Sequence, residues 1–351
     1  MQTLTYRSSR MLSGVGGLAL LLILLLIAII SGPIGIPVPD VLAILMKWAG
    51  IESGIPYAQR HYLVLTGIRL PRALLSALVG AAFGVSGALL QGMFRNPLAS
   101  PTLIGTSSGA MAGAAGFIVF AGVLGLPEFL RDSGLPLAAF GGACLATLLV
   151  YRLATRSGRT YVGTLLLAGI AVNALVLSIV GFLMTLADDA QLRSITFWNL
   201  GGLGGNGWQS VWISAVCILP VILLSMRLAL PLNALLLGER EARHLGVPVR
   251  RITTLCVLLP ALAVGASVSV SGNIQFVGLV IPNLVRLLGG PDHRLVIPAS
   301  ALAGAMLMVG ADTLGRIVVA PAELPVGILT AAIGAPFFLY LLIRDWRREA
   351  F

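Results

Sequence analysis

Long apolar runs fill the chain, separated by short stretches that carry charge, proline or glycine. Ten such runs stand out, near residues 12–30, 66–91, 100–122, 136–155, 162–187, 208–230, 251–271, 276–289, 296–315 and 326–343. A helix needs about 20 apolar residues to cross the hydrocarbon core of a bilayer. The pattern therefore predicts an all-α membrane domain of about ten transmembrane helices covering residues 1–351. The first run follows Arg7 and Arg10, as a secretory leader would, but it is longer than a leader's apolar core and no small-x-small cleavage site is evident. It is read as an uncleaved first span.

One polar interruption differs from the others. Residues 233–251, between the sixth and seventh spans, hold six charges and an amphipathic run. The spacing predicts one helix over 234–245 with Leu235, Ala242 and Leu245 near one side and Arg240, Arg243 and His244 on others. Gly246 would stop it, with Pro248 beyond. A short helix shown to water by a chain that otherwise lives in lipid is a surface offered to a partner.

Composition agrees with the pattern: 58% of the 351 residues are hydrophobic, 10% are charged, and the mean hydropathy is +0.98. The net charge of +10 does not point to nucleic acid, because the arginines are spread over the breaks and form no basic stripe or aromatic platform. They act instead as topology signals. With the amino terminus inside, sixteen of the 23 Lys and Arg residues fall on the inner side and seven on the outer. Both termini and the 233–251 stretch are then cytoplasmic. Cys144, Cys217 and Cys256 lie in apolar runs without Cys-x-x-Cys spacing and are read as core residues, so no metal site is expected.

A shift of 185 residues superimposes Val79-Gly80-Ala81 on Val264-Gly265-Ala266 and Val85-Ser86-Gly87 on Val270-Ser271-Gly272. Pro97, Leu103 and Gly105 fall on Pro282, Leu288 and Gly290, making nine identities in 27 positions. The two copies lie five spans apart, an odd number, so the relation is a weak inverted repeat of spans 2–5 and 7–10. Inverted repeats are a recurrent transporter architecture. Glycines at close helical spacing, such as Gly80 with Gly84 and Gly109 with Gly113, predict tight helix packing within the bundle or between copies.

The sequence offers little chemistry of its own. Gly105-Thr106-Ser107-Ser108-Gly109 has the Gly-x-Ser-x-Gly form of a hydrolase elbow but opens a predicted span. The three histidines, His61, His244 and His293, flank spans and do not enter them. No phosphate-binding loop is present and the one lysine, Lys47, lies on the outer side, so the chain is not an ATPase of that type and has no catalytic residue. Ion-coupled transporters carry acids or histidines at mid-membrane depth. Here the acidic residue closest to a span centre is Asp312, with Arg316 four residues on as a partner near the outer end. Energy is thus expected from another subunit, and an ion-coupled secondary transporter is the alternative of another class. Asn96-Pro97-Leu98 ends the second span on the inner side as a helix stop or a constriction. Arg69, Arg72 and Arg316 sit at the outer ends of spans, where the readings are local pairing or a cationic rim for an acidic partner.

Taken together, several ordered motifs resemble the membrane subunits of bacterial ABC importers for ferric siderophores, haem and vitamin B12, the FecCD-type permeases. They include Arg69-Leu70-Pro71-Arg72, Gly87-Ala88-Leu89-Leu90-Gln91 leading to Asn96-Pro97-Leu98-Ala99, and Leu237-Gly238-Glu239 through Leu245-Gly246-Val247. Phe276-Val277-Gly278-Leu279-Val280-Ile281-Pro282, Gly290-Pro291-Asp292-His293-Arg294, Ala311-Asp312-Thr313 and Glu323-Leu324-Pro325-Val326-Gly327 continue the series, and Gly334-Ala335-Pro336-Phe337-Phe338 closes it.

The resemblance implies a vitamin B12 permease-like fold in the bacterial inner membrane, paired with a second copy or a similar chain. It implies two ATPase subunits, which hold the ATP and magnesium, and a periplasmic binding protein. Residues 234–246 would be the coupling helix, with Leu235, Gly238, Glu239, Arg240, Ala242, Arg243, Leu245 and Gly246 meeting the ATPase. Arg69, Arg72 and Arg316 would meet acids of the binding protein, and Asn96, Pro97 and Leu98 would form the cytoplasmic gate. Many relatives have histidine after the proline of the Pro282 motif, whereas Asn283 stands here with Arg286 retained. An iron complex is the expected cargo, with cobalamin the alternative within the family.

Overall fold

Residues 2–51, 54–122, 125, 127–156 and 159–349 are described by a computed structural model of the chain. Side chains at 2–13, 128–132, 159, 342 and 344–349 lie outside it, and with them those of Arg7, Arg10, Arg131, Arg159, Arg344, Arg347 and Arg348, which entered the topology count. Each of the ten predicted runs is a helix. They are α1 (Gln2–Ile30), α4 (Leu70–Phe94), α5 (Thr106–Phe120), α6 (Glu128–Ala154), α7 (Val162–Leu186), α9 (Trp208–Arg227), α12 (Val249–Ser271), α13 (Val277–Gly289), α14 (His293–Ile317) and α15 (Val326–Glu349). Six have the length and apolarity to cross a bilayer outright, while 14–30, α5, α13 and 326–341 are shorter apolar segments.

Between these lie helices that the periodicity did not disclose. α2 (Val38–Trp48) and α3 (Gln59–Val64) join α1 to α4, with a wider turn over Leu65–Arg69 leading into α4. His61 Nδ1 lies 2.6 Å from Asp40 Oδ2 and fastens α3 to α2. α8 (Asp189–Leu200) follows α7. Its signal was in the sequence: Asp188 accepts from the Ala190 and Gln191 amides while the Gln191 side chain accepts from the Asp188 amide, a reciprocal cap.

α4 and α12 form the centre. Their apolar windows are 83% and 78% buried within the chain, against 28% for α7 and α9. The outer helices instead expose Leu167, Phe182, Val216 and Leu223, as lipid-facing surfaces do. Small residues set how closely the central helices approach. A side chain at Gly80 or Gly84 of α4 would strike the backbone of Gly304 or Ser300 on α14, and one at Gly109 or Gly113 of α5 the backbone of Gly142 or Ala138 on α6. The glycine spacing is therefore used for crossings inside one chain, where close backbone approach supplies the van der Waals packing that lipid cannot.

The helix contacts carry the inverted repeat further than the identities did. Let α4–α7 be one unit and α12–α15 the other. α4 packs on α14, and its counterpart α12 packs on α6, the counterpart of α14. In the same way α4 with α13 is matched by α12 with α5, α5 with α6 by α13 with α14, and α5 with α7 by α13 with α15. Exchanging the two units leaves this contact scheme unchanged.

Candidate functional site

At the end where α1 stops and α4 begins, Arg69, Arg72 and Arg316 come together. They do not form an exposed rim: they are 3%, 7% and 4% exposed, and partners within the chain engage their donors. This corrects the reading of a free cationic surface. Arg72 Nε donates to both oxygens of Asp312, at 3.0 and 3.1 Å, and its Nη1 to both oxygens of Glu323, at 2.9 Å each. Arg316 lies 3.3 Å from Asp312 along the helix, the pairing its spacing predicted.

The remaining donors have a different task. Arg69 donates to the carbonyls of Ile29, Ile30 and Ile34, and Arg316 to those of Ala28 and Ser31. The last carbonyls of α1 have no partners within the helix, and its dipole places partial negative charge there. Two guanidiniums therefore cap the first span and pin it to α4 and α14. The cluster holds three cations against two carboxylates, and Glu323, whose side chain is 46% exposed, is its opening to the surroundings.

The opposite end carries the predicted gate and partner surface. α4 ends because Arg95 turns left-handed, with φ of 52°, and Pro97 prevents continuation. Asn96 Oδ1 accepts from the Leu98 amide at 2.9 Å, so Asn96-Pro97-Leu98 is a closed turn with Leu98 exposed. Two side chains given no role from the sequence hold this turn to α13. Asn283 donates to the Pro97 carbonyl at 2.8 Å. Pro282 lacks the amide that would bond the Gly278 carbonyl, and Gln91 of α4 donates to that freed group at 3.4 Å and to Leu279 at 3.2 Å. Arg286 in turn donates to Gln91.

The single helix predicted over 234–245 is two. α10 (Ala229–Leu236) and α11 (Glu239–His244) meet at Gly238, whose φ of 124° no other residue adopts readily. Leu235 and Ala242 are buried as the amphipathic pattern required, whereas Leu245 is 64% exposed and lies off that face. Arg240 and Arg243 are exposed, Arg243 pairs with Glu239 at 3.0 Å, and Gly246 ends the unit with φ of 80°. Beside α11 a cleft of about 850 Å³ opens between it, the start of α7 and the start of α12. Glu239, Arg243, Arg250 and Arg251 line it together with Thr160 and Thr164. Thr160 belongs to a short hairpin of strands Thr155–Arg156 and Arg159–Thr160.

Among the described residues, no group of His, Cys, Asp and Glu side chains is arranged to hold a metal ion. The Gly105–Gly109 motif is structural as well. Gly105 takes the left-handed conformation that starts α5, Ser107 is buried, and Ser108 bonds to Asn173.

Comparison with known proteins identifies the family. The profile described as the FecCD transport family matches residues 20–344. The hemin transport system permease protein HmuU of Yersinia pestis is 46% identical over 79% of this chain and 82% of its own. The cobalamin import system permease protein BtuC of Halobacterium salinarum is 40% identical over 90% of this chain and 81% of its own. A solved structure described as an inward-facing metal-chelate type ABC transporter superimposes with a TM-score of 0.78 at 32% identity, covering 93% of this chain and 98% of that one.

Proposed function

The chain belongs to the FecCD transport family and is the multi-pass permease subunit of an ABC importer, and from that premise we propose that it carries an iron complex, a ferric siderophore or haem, from a periplasmic binding protein into the cytoplasm. As a permease it is not catalytic, and ATP hydrolysis lies in a partner subunit; the ion-coupled alternative falls away. The observation that carries the choice of cargo is the 46% identity to a hemin permease. Cobalamin is the second reading, supported by 40% identity over 90% of the chain to a cobalamin permease. Uptake into proteoliposomes decides between them, using the assembled transporter with its binding protein and labelled haem, a ferric siderophore or cobalamin. Accumulation of cobalamin alone would overturn the iron reading.

In this reading two copies pair about a central path, and two ATPase subunits, which bind ATP and magnesium, each receive one α10–α11 unit in the cytoplasm. Leu235 and Ala242 fix the unit to the bundle. Glu239, Arg240, Arg243 and Leu245 face the ATPase, and Gly238 and Gly246 set the bends. The cleft beside α11 widens this footprint, because Arg250 and Arg251 bring positive charge to the same surface. Asn96, Pro97 and Leu98 form the gate at that end.

The binding protein docks at the arginine end. A carboxylate from its surface offsets the excess cation of the Arg69, Arg72 and Arg316 cluster, entering where Glu323 is exposed. Because Arg69 is buried and caps α1, its reversal would disturb the fold, and the exposed Glu323 gives the test: Glu323→Gln is expected to strengthen capture of the binding protein by nanodisc-held transporter about threefold at low salt and less at high salt. Capture unchanged at both salts would remove this docking role from the cluster.

A further inference from the structure

Between the coupling unit and the gate lies a half-buried polar joint with no role in the account so far. Asn233 stands near the end of α10, one turn before Gly238. Its side-chain oxygen accepts from the His293 amide at 2.9 Å and lies 2.8 Å from His293 Nδ1. Its amide nitrogen donates to Asp292 Oδ1 at 2.8 Å. That same oxygen accepts from the Arg294 amide at 2.9 Å and so caps α14. One side chain of the coupling unit thus grips the first turn of α14 by both its donor and its acceptor.

The grip extends to the gate. His293 is 1% exposed, and the far edge of its imidazole packs against Gly92 of α4, where any side chain would collide with Nε2. Gly92 lies three residues before Arg95, where α4 ends. Leu232 and Leu235 of α10 are buried in the main core on either side of Asn233. From there α14 runs along α4 through the Gly80 and Gly84 crossings, where the backbones approach so closely that an added Cβ would strike Gly304 or Ser300. Closely packed elements tied by directional hydrogen bonds switch between discrete arrangements and do not deform continuously, so a displacement at one end is passed to the other.

We propose that Asn233, with Asp292 and His293, is the joint that transmits displacement of α10–α11 to α14 and the gate end of α4. Asn233 is then a positioning residue for transport, acting through α14 without touching cargo or ATP. The proposal rests on the importer reading given above.

The test uses the whole complex of permease, ATPase and binding protein in nanodiscs and proteoliposomes, measuring cargo moved per ATP hydrolysed. Asn233→Leu keeps approximate volume and removes the three polar contacts that Asn233 makes with Asp292 and His293, leaving the Asp292 cap on Arg294 in place. The expected result is retained ATP hydrolysis with transport per ATP lowered about tenfold. A purely structural role would lower assembly, hydrolysis and uptake together and leave the ratio unchanged, and an unchanged ratio overturns the proposal.

A second measurement on otherwise native protein covers the case in which the variant does not assemble. Spin labels at the exposed positions Leu236 and Leu288 report the separation of α10 from the end of α13 that leads into α14. The joint predicts a separation constant to about 2 Å through the ATP cycle, and a change beyond about 5 Å overturns it. If the native complex itself fails to couple hydrolysis to uptake, it is the importer reading that fails.

Discussion

Asp312→Leu is expected to cost about 3–5 kcal/mol of stability, the range for breaking a buried ion pair from one side. Asp312 is 1% exposed and serves two guanidiniums, bidentate to Arg72 from α4 and at 3.3 Å to Arg316 on its own helix. Its removal leaves Arg72 with Glu323 alone and Arg316 with carbonyls and a hydroxyl, both guanidiniums still buried. Replacing the cation as well should recover much of the loss, because the desolvation cost of the pair disappears with it. Arg72→Met combined with Asp312→Leu is therefore expected to be more stable than Asp312→Leu alone, and the double-mutant cycle to be strongly non-additive. Thermal unfolding of the purified permease, followed by tryptophan fluorescence, measures both. A single variant within about 1 kcal/mol of the parent would mean that the cluster does not hold α1 and α14 to α4.

The second large effect falls on activity and leaves the fold in place. The Glu239–Arg243 pair is exposed on both sides, 42% and 48%, and such i,i+4 pairs contribute only about 0.3–0.5 kcal/mol. Glu239→Arg should therefore leave the permease folded while removing the one carboxylate from a cleft otherwise lined by Arg243, Arg250 and Arg251. Gly246→Trp acts through the backbone, since φ of 80° is strained for any residue with a side chain, and it adds bulk at an exposed corner. Either change is expected to release the ATPase or to uncouple it, cutting uptake by at least about tenfold. Co-purification with the ATPase and uptake into proteoliposomes distinguish the two outcomes. Unchanged uptake in both variants would contradict the role assigned to α10–α11.

The sequence made the spans legible because apolar length is what the bilayer demands, and all ten predicted runs became helices. α8 escaped because its cap, Asp188 with Gln191, lies in a polar break with no apolar period beside it. The break at Gly238 escaped because one glycine inside a helical pattern reads equally as a weak point or a bend. Arg316 with Asp312 was legible as neighbours one turn apart. Arg72 with Asp312 was not, because the residues are 240 apart in sequence and meet only when the two repeat units interlock. The arginines looked outward for the same reason. Their positions at span ends suggested exposure, whereas the unpartnered carbonyls of α1, invisible in side-chain identities, drew them inward. Asn283 and Asn233 likewise act through backbone groups of distant elements, Pro97 and His293.

ATP hydrolysis by the assembled transporter in nanodiscs tests the central claim most directly. The permease is purified with its ATPase and challenged with binding protein, empty or loaded with haem, a ferric siderophore or cobalamin. The account predicts hydrolysis that depends on the permease and is stimulated by binding protein loaded with an iron complex. Uptake driven by an imposed ion gradient, with no ATPase retained and no response to loaded binding protein, would contradict it.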